Sequence, residues 1–230
     1  MDVGGFDDPQ KPRPRGGPAP PPAPGPRFGV VGQRAAAGTW LLHVGRLSIL
    51  WFLGGGRVMY IPRHFEVADT GWCHALMRAQ GFAVMITADD AGVPFATHLP
   101  MLVDPARGAL GTLRGHVARA NPHWRYLAAG RPTLVVFSGA HAYVSPSWYA
   151  THPAVPTWNY VAVHATGTGA LVEDAERVRA LLADLVHVYE GARPGAWSFE
   201  ALPSDYVAGM QRAIVAFEIP IDRLEGKAKL

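Results

Sequence analysis

The chain has 230 residues, about half of them apolar, which is enough to bury the core of one ordinary domain or two small ones. Its single cysteine, Cys73, excludes an internal disulfide, and its ten histidines show no spacing typical of metal ligands, so no metal site is expected. The net charge of +3 comes largely from the first quarter of the chain, so the folded part is not expected to carry a strong nucleic-acid-binding field.

The front of the chain has the composition of a disordered extension. Residues 1–37 are dominated by proline, glycine, alanine and arginine, which bury too little apolar surface to offset chain entropy. The apolar run at 40–53 is interrupted by His43 and Arg46 and is shorter than the ~20 residues that a bilayer span needs. Because this run follows a long proline-rich lead, a secretory signal is not favoured and a cytoplasmic location is expected.

We therefore predict a disordered extension rich in proline, glycine and arginine over residues 1–58 and one folded domain over residues 59–230. A second interpretation is that translation begins at Met59 and that residues 1–58 are upstream sequence read in frame. Gly54, Gly55 and Gly56 precede that methionine, and the GG-rich codons of glycine resemble a ribosome-binding site. The fold prediction needs none of the first 58 residues.

The first half of the predicted domain has one short helix followed by three strands. Asp69 is a typical N-cap for a helix over 70–80, in which Trp72, Leu76 and Ala79 would share one face. Apolar segments separated by turn sequences predict three strands, over residues 82–88, 93–104 and 109–118. A cap at Asn121 and Pro122 at the first helical position predict another short helix through Ala129.

The second half contains longer elements. Strands are expected over residues 132–139, 141–145, 158–172 and 213–226. Asp174 predicts the N-cap of a helix over 175–189, which carries an apolar stripe, and another helix is expected over 204–212. Because the strands follow one another through short turns, the pattern favours an antiparallel barrel with flanking helices rather than a parallel sheet.

The segment 143–160, YVSPSWYATHPAVPTWNY, combines rigid aromatic rings with small polar groups. Flat rings cover area at little entropic cost, and short hydroxyl and amide groups fix a ligand's orientation. This composition suits a pocket for a planar, hydrogen-bonding ligand, and a structural loop packed under aromatic residues is the alternative.

Six ordered segments of residues 59–230 stand out together. They are MYIPRHF (59–65), ATHLPMLVD (96–104), LRGHVARANPHW (113–124), AYVSPSWY (142–149), VPTWNYVAVHATG (155–167) and RAIVAFEIPIDRLEGKAKL (212–230). These segments resemble successive motifs of the PaiB family of FMN-binding negative transcriptional regulators. The resemblance implies a six-stranded antiparallel FMN-binding split barrel, mainly β with flanking helices, and a homodimer with flavin sites where the subunits meet. The chain departs from the family in a short connection at 150–154 and in Ala228, where relatives typically have tryptophan.

Eleven residues are predicted to contribute to cofactor binding. Arg119, beside the Asn121–Pro122 helix start, would anchor the phosphate, with Arg114 and His116 extending a polar wall along one strand face. His98 would contact the flavin edge. The flavin ring or its neighbouring space would be framed by Ser145, Ser147, Trp148, Thr157, Trp158 and Asn159.

Three functions remain open on these residues. The first is a flavin-binding transcriptional repressor. It would bind DNA directly through arginines such as Arg177, Arg179 and Arg212, or it would repress indirectly, because the sequence shows no evident helix-turn-helix. The second is a flavin-dependent oxidoreductase of a small molecule, although no acid–base pair is evident and no catalytic residue is assigned. The third is a degenerate barrel that binds no flavin and serves as an interaction module.

Overall fold

The computed structural model describes the backbone of residues 31–34, 40–44, 47–48, 59–193, 195 and 197–230, and side chains from residue 59 onward. The chain divides into two compact units, Met1–Gly56 and Arg57–Leu230. The first contains an antiparallel sheet of β1 (Val31–Arg34), β2 (Trp40–Val44) and β3 (Leu47–Ser48). Apart from these three strands, residues 1–58 lie outside the described residues, and the predicted disorder and the question of whether this stretch is translated stay predictions.

The second unit contains four helices and nine strands within its described residues. The helices are α1 (Thr70–Ala79), α2 (His123–Ala128), α3 (Ala175–Glu190) and α4 (Ser204–Arg212). The strands are β4 (Glu66–Val67), β5 (Phe82–Ala88), β6 (Pro94–Pro100), β7 (Leu102–Asp104), β8 (Thr112–Ala118), β9 (Pro132–Val144), β10 (Thr157–Thr168), β11 (Ala170–Val172) and β12 (Ile214–Lys229). The four predicted helices are confirmed, each within two residues at either end.

The strands form one antiparallel sheet that curls into a six-stranded barrel. Its order is β6-β5-β9-β10-β12-β8-β7. Only Met101 separates β6 from β7, so a single run of chain pairs with β5 through its first half and with β8 through its second. That shared run joins the two ends of the sheet, and the predicted antiparallel split barrel is confirmed.

Three predicted strand divisions were wrong, and the first is the strand expected over 93–104, which is divided at Met101 into β6 and β7. The strands expected over 132–139 and 141–145 are one continuous strand, β9, because it stays paired with β10 past a register shift opposite Tyr160 and Ala162. The strand expected over 158–172 is divided at Gly169 into β10 and β11. β11 then pairs with the first half of β12, whereas β10 pairs with the second half.

Local side-chain caps start α1 and α3 as the sequence indicates, whereas the N-caps of α2 and α4 are Pro122 and Pro203, which make no side-chain cap bond. The Asp69 carboxylate accepts hydrogen bonds from the backbone N–H groups of Gly71 (2.8 Å) and Trp72 (3.2 Å), and Asp174 accepts from the N–H of Arg177. The face expected on α1 was wrong in part. Ala79 is exposed, and α1 buries Cys73 and Met77 in the barrel.

The barrel interior is the main core. Its fully buried side chains include Phe137, Phe217, Met85, Leu113 and Val163. A smaller core lies outside the barrel, where Val178, Leu181 and Leu185 of α3 pack against Leu102 and Ala216. Helix α3 therefore covers the outer surface of the sheet on one side.

Glu218 of β12 bonds two arginines, one in α3 and one in the turn between β7 and β8. Its carboxylate accepts two hydrogen bonds from Arg107, at 2.8 and 2.7 Å, and one from Arg177 of α3 at 2.8 Å. The hydrogen bonds from Arg107 and, after them, Arg177 lower the pKa of Glu218 to about 2.

In the described part of the chain, no helix is both long and apolar enough to span a bilayer.

Candidate functional site

The outer surface of the barrel carries two cross-strand rows of residues, which together we term the open face. The first row contains His98, Val84, Val136, His164 and Glu225, on β6, β5, β9, β10 and β12 respectively. The second row, in the same strand order, contains Ala96, Ile86, Leu134, Thr166 and Arg223. Because strands lie ~4.8 Å apart, each five-strand row is about 19 Å long.

The centre of the open face is flat and aliphatic. Val84, Ile86, Leu134 and Val136 are half-buried, while their neighbours along each strand point into the barrel core. Phe82, which precedes this patch on β5, is 68 % exposed, and its ring stacks on His98 at a centroid distance of 6.3 Å. This surface can accept a flat apolar group.

Two buried polar atoms on the open face have no hydrogen-bond partner. They are Nδ1 of His164 and Oγ1 of Thr166, which belong to adjacent rows on β10. Burial lowers the pKa of His164, Glu225 opposes that shift, and Lys227 adds to it. A buried polar atom without a partner costs free energy, so a group that covers this part of the face and bonds these atoms would be stabilised.

A lysine is buried at the β12 side of the open face. Lys227 is only 6 % exposed, and its Nζ donates a hydrogen bond of 2.9 Å to the backbone carbonyl of Tyr60. The same ammonium lies 5.0 Å from the ring centroid of Tyr160 and 5.5 Å from that of Tyr60. Lys229, two residues on, donates to Thr157 Oγ1. Alternation along the strand places both lysines on the same side as His164.

Six of the predicted site residues come together at one end of the β9–β10 hairpin. Thr157, Trp158 and Asn159 pair with Val144, Tyr143 and Ala142, and the Ser145 and Ser147 hydroxyls lie 2.8 Å apart in the connection. Trp158 meets Tyr143 edge-on at 5.9 Å, but Trp158 and Trp148 are 56 % and 69 % exposed. These rings form an exposed aromatic surface in the single chain.

His98 and Asn121 lie at opposite faces of β6. His98 is exposed on the open face, whereas Asn121 reaches the inner side, where its Nδ2 donates to Thr97 Oγ1 at 3.1 Å. Thr97 also hydrogen bonds His123 Nδ1 at 2.8 Å. Asn121 accepts from the backbone N–H of His123, so its observed contacts start α2 and extend a buried polar network.

The three remaining predicted residues lie around β8 and are engaged elsewhere. The Arg119 guanidinium donates to the carbonyls of Arg212 (2.8 Å) and Ile214 (2.9 Å). Arg114 forms an ion pair of 2.8 Å with Asp184 of α3, and His116 lies in a cavity under α3 and α4. Their side chains are thus not grouped with the residues of the open face.

The prediction from sequence did not include His164, Thr166 or Lys227 among the site residues. The alternation of Tyr160, Ala162, His164 and Thr166 was visible, and it correctly placed the last two on one face of a strand. Whether their polar atoms have partners depends on β9 and β12, which are distant in sequence.

Comparison with known proteins identifies the relatives of the chain. Residues 59–223 match the sequence family described as "Putative FMN-binding domain". The chain is 33% identical over 172 residues to "Protease synthase and sporulation protein PAI 2" of Bacillus subtilis, a match covering 75% of this chain and 81% of that protein. The predicted PaiB resemblance is therefore confirmed.

Solved structures share the fold at low sequence identity. The flavocytochrome Anf3 from Azotobacter vinelandii superposes with a TM-score of 0.56 at 16% identity, covering 74% of this chain and 73% of that one. The FAD and heme binding protein from Mycobacterium smegmatis superposes with a TM-score of 0.52 at 18% identity, covering 71% and 73%. At such identities these likenesses establish the fold alone.

Proposed function

The chain belongs to the PaiB-type family of FMN-binding domains, with FMN as its cofactor, and from that premise we propose that it is a homodimeric, flavin-binding repressor of transcription. The observation that carries the flavin and dimer proposal is the pair of buried, unpartnered atoms, His164 Nδ1 and Thr166 Oγ1, on an open aliphatic face. A cofactor and a second subunit that cover this face would bury its apolar area and offer partners to both atoms.

The residues of the open face fit the parts of FMN. The aliphatic patch of Val84, Ile86, Leu134 and Val136 matches the flat, apolar isoalloxazine ring. His164 and Thr166 offer hydrogen-bonding atoms beside that patch, and the ammonium groups of Lys227 and Lys229 supply positive charge for a phosphate along the same strand side. Bound FMN would supply reversible electron transfer.

The predicted anchor, Arg119, fits the phosphate less well than the lysines do. Both of its observed hydrogen bonds go to backbone carbonyls where α4 meets β12, so its guanidinium is held apart from the residues of the open face. Lys227 also donates to a carbonyl, but it lies on the same side of the sheet as His164, and that bond uses one of the three N–H donors of its ammonium. We therefore propose His98, His164, Thr166, Lys227 and Lys229 as the principal flavin-binding residues of one chain.

A homodimer is supported by the shape and composition of the same face. The two rows span five strands with a half-buried aliphatic centre, and Phe82 lies exposed beside them. In a two-fold dimer the same patch is used by both copies, so a flat, self-complementary sheet face is a suitable interface. Each flavin would then lie between the aliphatic patch of one copy and the facing surface of the other copy.

Repression is proposed from the family, and the manner of action on DNA is open to experiment. Arg177 is bonded to Glu218, and the Arg179 guanidinium lies 5.1 Å from the ring centroid of Phe199. These contacts leave fewer free donors for phosphates than the sequence indicated. Direct and specific binding would give an electrophoretic shift of candidate promoter DNA, and that shift would persist at moderate salt. Association driven by phosphates alone weakens steeply as the salt concentration rises.

The flavin and dimer proposals are tested on one set of proteins. Purified protein is titrated with FMN while its absorbance spectrum and flavin fluorescence are recorded, and its mass is measured by light scattering. Saturable, quenched FMN at one per chain and a dimeric mass are expected. Val136→Lys, in the open face, should lower both flavin affinity and dimer mass, whereas Val155→Lys, at a position 76 % exposed outside that face, should change neither.

Two results would contradict the proposals. A protein that takes up no FMN would overturn the flavin site, and a monomeric mass with normal FMN uptake would overturn the dimer interface alone. Rapid reduction of bound flavin by a nicotinamide donor, with turnover on a small molecule, would instead support an oxidoreductase.

A further inference from the structure

A second candidate site lies on another part of the barrel surface, beneath α3 and α4. A cavity of about 470 Å³ is lined by α3, α4 and the short 3-10 turn Phe199–Ala201, with β8 and the start of β12 as its floor, and it opens to solvent beside the exposed side chains of Trp197, Tyr206 and Met210. Its walls are mainly aliphatic and aromatic, and they include Leu182, Leu185, Val186, Phe199, Val207 and Met210. Ligand cavities in proteins typically measure ~300–1,000 Å³ and have this apolar character.

One polar side chain of the sheet reaches this cavity without a partner. His116 alternates with Leu113, Gly115 and Val117 along β8, and those neighbours are buried on the barrel side. The His116 ring therefore projects outward under α3, where its Nδ1 is buried and has no hydrogen-bond partner. Burial lowers the pKa of His116, so its ring is neutral near pH 7.

The charge of the cavity limits what it can hold. Among the described lining residues there is no lysine or arginine, and the one carboxylate is Glu190, which lies 3.4 Å from Arg193 in an ion pair. Without a cation in the lining, a phosphate or carboxylate would lose its hydration and gain no opposite charge. The cavity therefore disfavours FMN and other anions and favours an uncharged molecule.

We propose that this cavity binds a small, uncharged and predominantly aromatic molecule whose single hydrogen-bonding group meets Nδ1 of His116. The ligand would stack among Phe199 and the aliphatic side chains of α3 and α4, and it would satisfy the orphaned nitrogen. None of the residues lining this cavity belongs to the two rows of the open face. The site is therefore separate from the proposed flavin site and does not depend on it.

The experiment uses two probes that differ only in the hydrogen-bonding group. The probe 2-naphthol is neutral, planar and carries one hydroxyl, and naphthalene lacks it. Each is titrated into the full chain, with FMN present at a fixed concentration, and binding is followed by calorimetry and by the ¹⁵N NMR signals of histidine side chains. We expect 2-naphthol to saturate at one per chain and to bind more tightly than naphthalene, with a shift of the His116 Nδ1 signal.

Three variants separate the contributions to binding. His116→Phe keeps an aromatic ring but removes the nitrogen, so it should weaken 2-naphthol about tenfold and leave naphthalene nearly unchanged. Val186→Trp fills the cavity from α3 and should abolish the binding of both probes. His141→Phe replaces an exposed histidine outside the cavity and should leave both affinities as they are. FMN titration and the thermal unfolding midpoint report whether each variant is folded.

Several outcomes would overturn the proposal. These are the failure of both probes to saturate, undiminished binding to folded Val186→Trp, or an equal loss of the two probes in His116→Phe. If Val186→Trp does not fold, Met210→Trp, at a more exposed position of the same wall, takes its place. A dimeric mass that falls in either tryptophan variant, together with no probe binding in the parent, would show that this face is covered by a second copy instead.

Discussion

His123 should make the folded protein sensitive to mild acid. Its side chain is 0 % exposed inside the barrel, where Nδ1 is 2.8 Å from Thr97 Oγ1 and Nε2 is 3.0 Å from Thr87 Oγ1. Thr87 is in turn bonded to Thr133 at 2.8 Å. Burial lowers the pKa of His123 from 6.5 to about 4, because the charged ring would lose its hydration and both neighbours are uncharged hydroxyls.

The sign and size of the effect follow from that shift. The unfolded chain takes up a proton on His123 at pH values where the folded chain does not, so stability is full above pH 6.5 and is lost as pH falls toward 4. Between pH 7 and pH 5, the two pKa values give a loss of about 2 kcal/mol in the free energy of unfolding. His116 and His164, whose pKa values burial also lowers, act in the same direction.

The assay compares urea unfolding of the parent and of His123→Gln at pH 7 and pH 5, at one protein concentration and without added flavin. The variant should be less stable at pH 7 by about 1–3 kcal/mol, since it disturbs a buried hydrogen-bond network. It should also lose about 2 kcal/mol less than the parent on going to pH 5. His141→Gln, at an exposed position, should keep the pH dependence of the parent. Equal losses in the parent and His123→Gln would refute the reasoning.

Three further predictions address other contacts. Glu218→Gln removes the negative charge that Arg107 and Arg177 share, so it should lower the free energy of unfolding in urea by about 1–2 kcal/mol at pH 7. The difference from the parent should shrink as pH falls from 4.5 toward 2, because the parent carboxylate is protonated in that range. A difference that stays constant with pH would contradict the assigned pKa. Gly167→Ala should destabilise the folded chain by about 1–3 kcal/mol, because the new Cβ would lie 2.0 Å from the Pro220 carbonyl oxygen. Gly209→Ala lies in α4, where a Cβ would meet no atom of the surrounding structure nearer than 3.8 Å, so this variant should stabilise the folded chain by up to ~1 kcal/mol. Similar midpoints of thermal unfolding for the two variants would refute the steric argument. Lys227→Met should weaken FMN binding about tenfold in a fluorescence titration, because it removes a positive charge proposed to meet the phosphate. Arg125→Met, at an exposed position on α2, should leave the affinity unchanged. An unchanged affinity in Lys227→Met would remove that lysine from the proposed site.

Much of the fold was predictable because it depends on neighbours in the chain. Asp69 and Asp174 cap helices through bonds to groups two or three residues away, and such spacing is visible in the sequence. Apolar segments between turn sequences likewise located β5 with its observed bounds and β8 to within three residues, because strand formers and turn residues act on the chain locally. The division of the β10–β11 run was missed because its partners on β12 lie about fifty residues further along.

The candidate site was less predictable, because the state of a charged side chain depends on what the fold brings beside it. Arg114 bonds a carboxylate 70 residues away, and Arg119 bonds carbonyls 93 and 95 residues away. Arg119 was expected to anchor a flavin phosphate and Arg114 to extend a polar wall beside it, and only the folded chain reveals the acceptors that these side chains bond. The same holds for His116, whose cavity is made by helices that no local pattern places above β8.

The sequence by itself determined the family, the cofactor, the helix starts and the positions of most strands, because motifs, caps and turn sequences are local properties of the chain. Only the tertiary structure decided how the β6–β7 run joins both ends of the sheet, and which buried polar atoms are left without partners. Those features depend on pairing between distant segments, so they exist only once the barrel is closed.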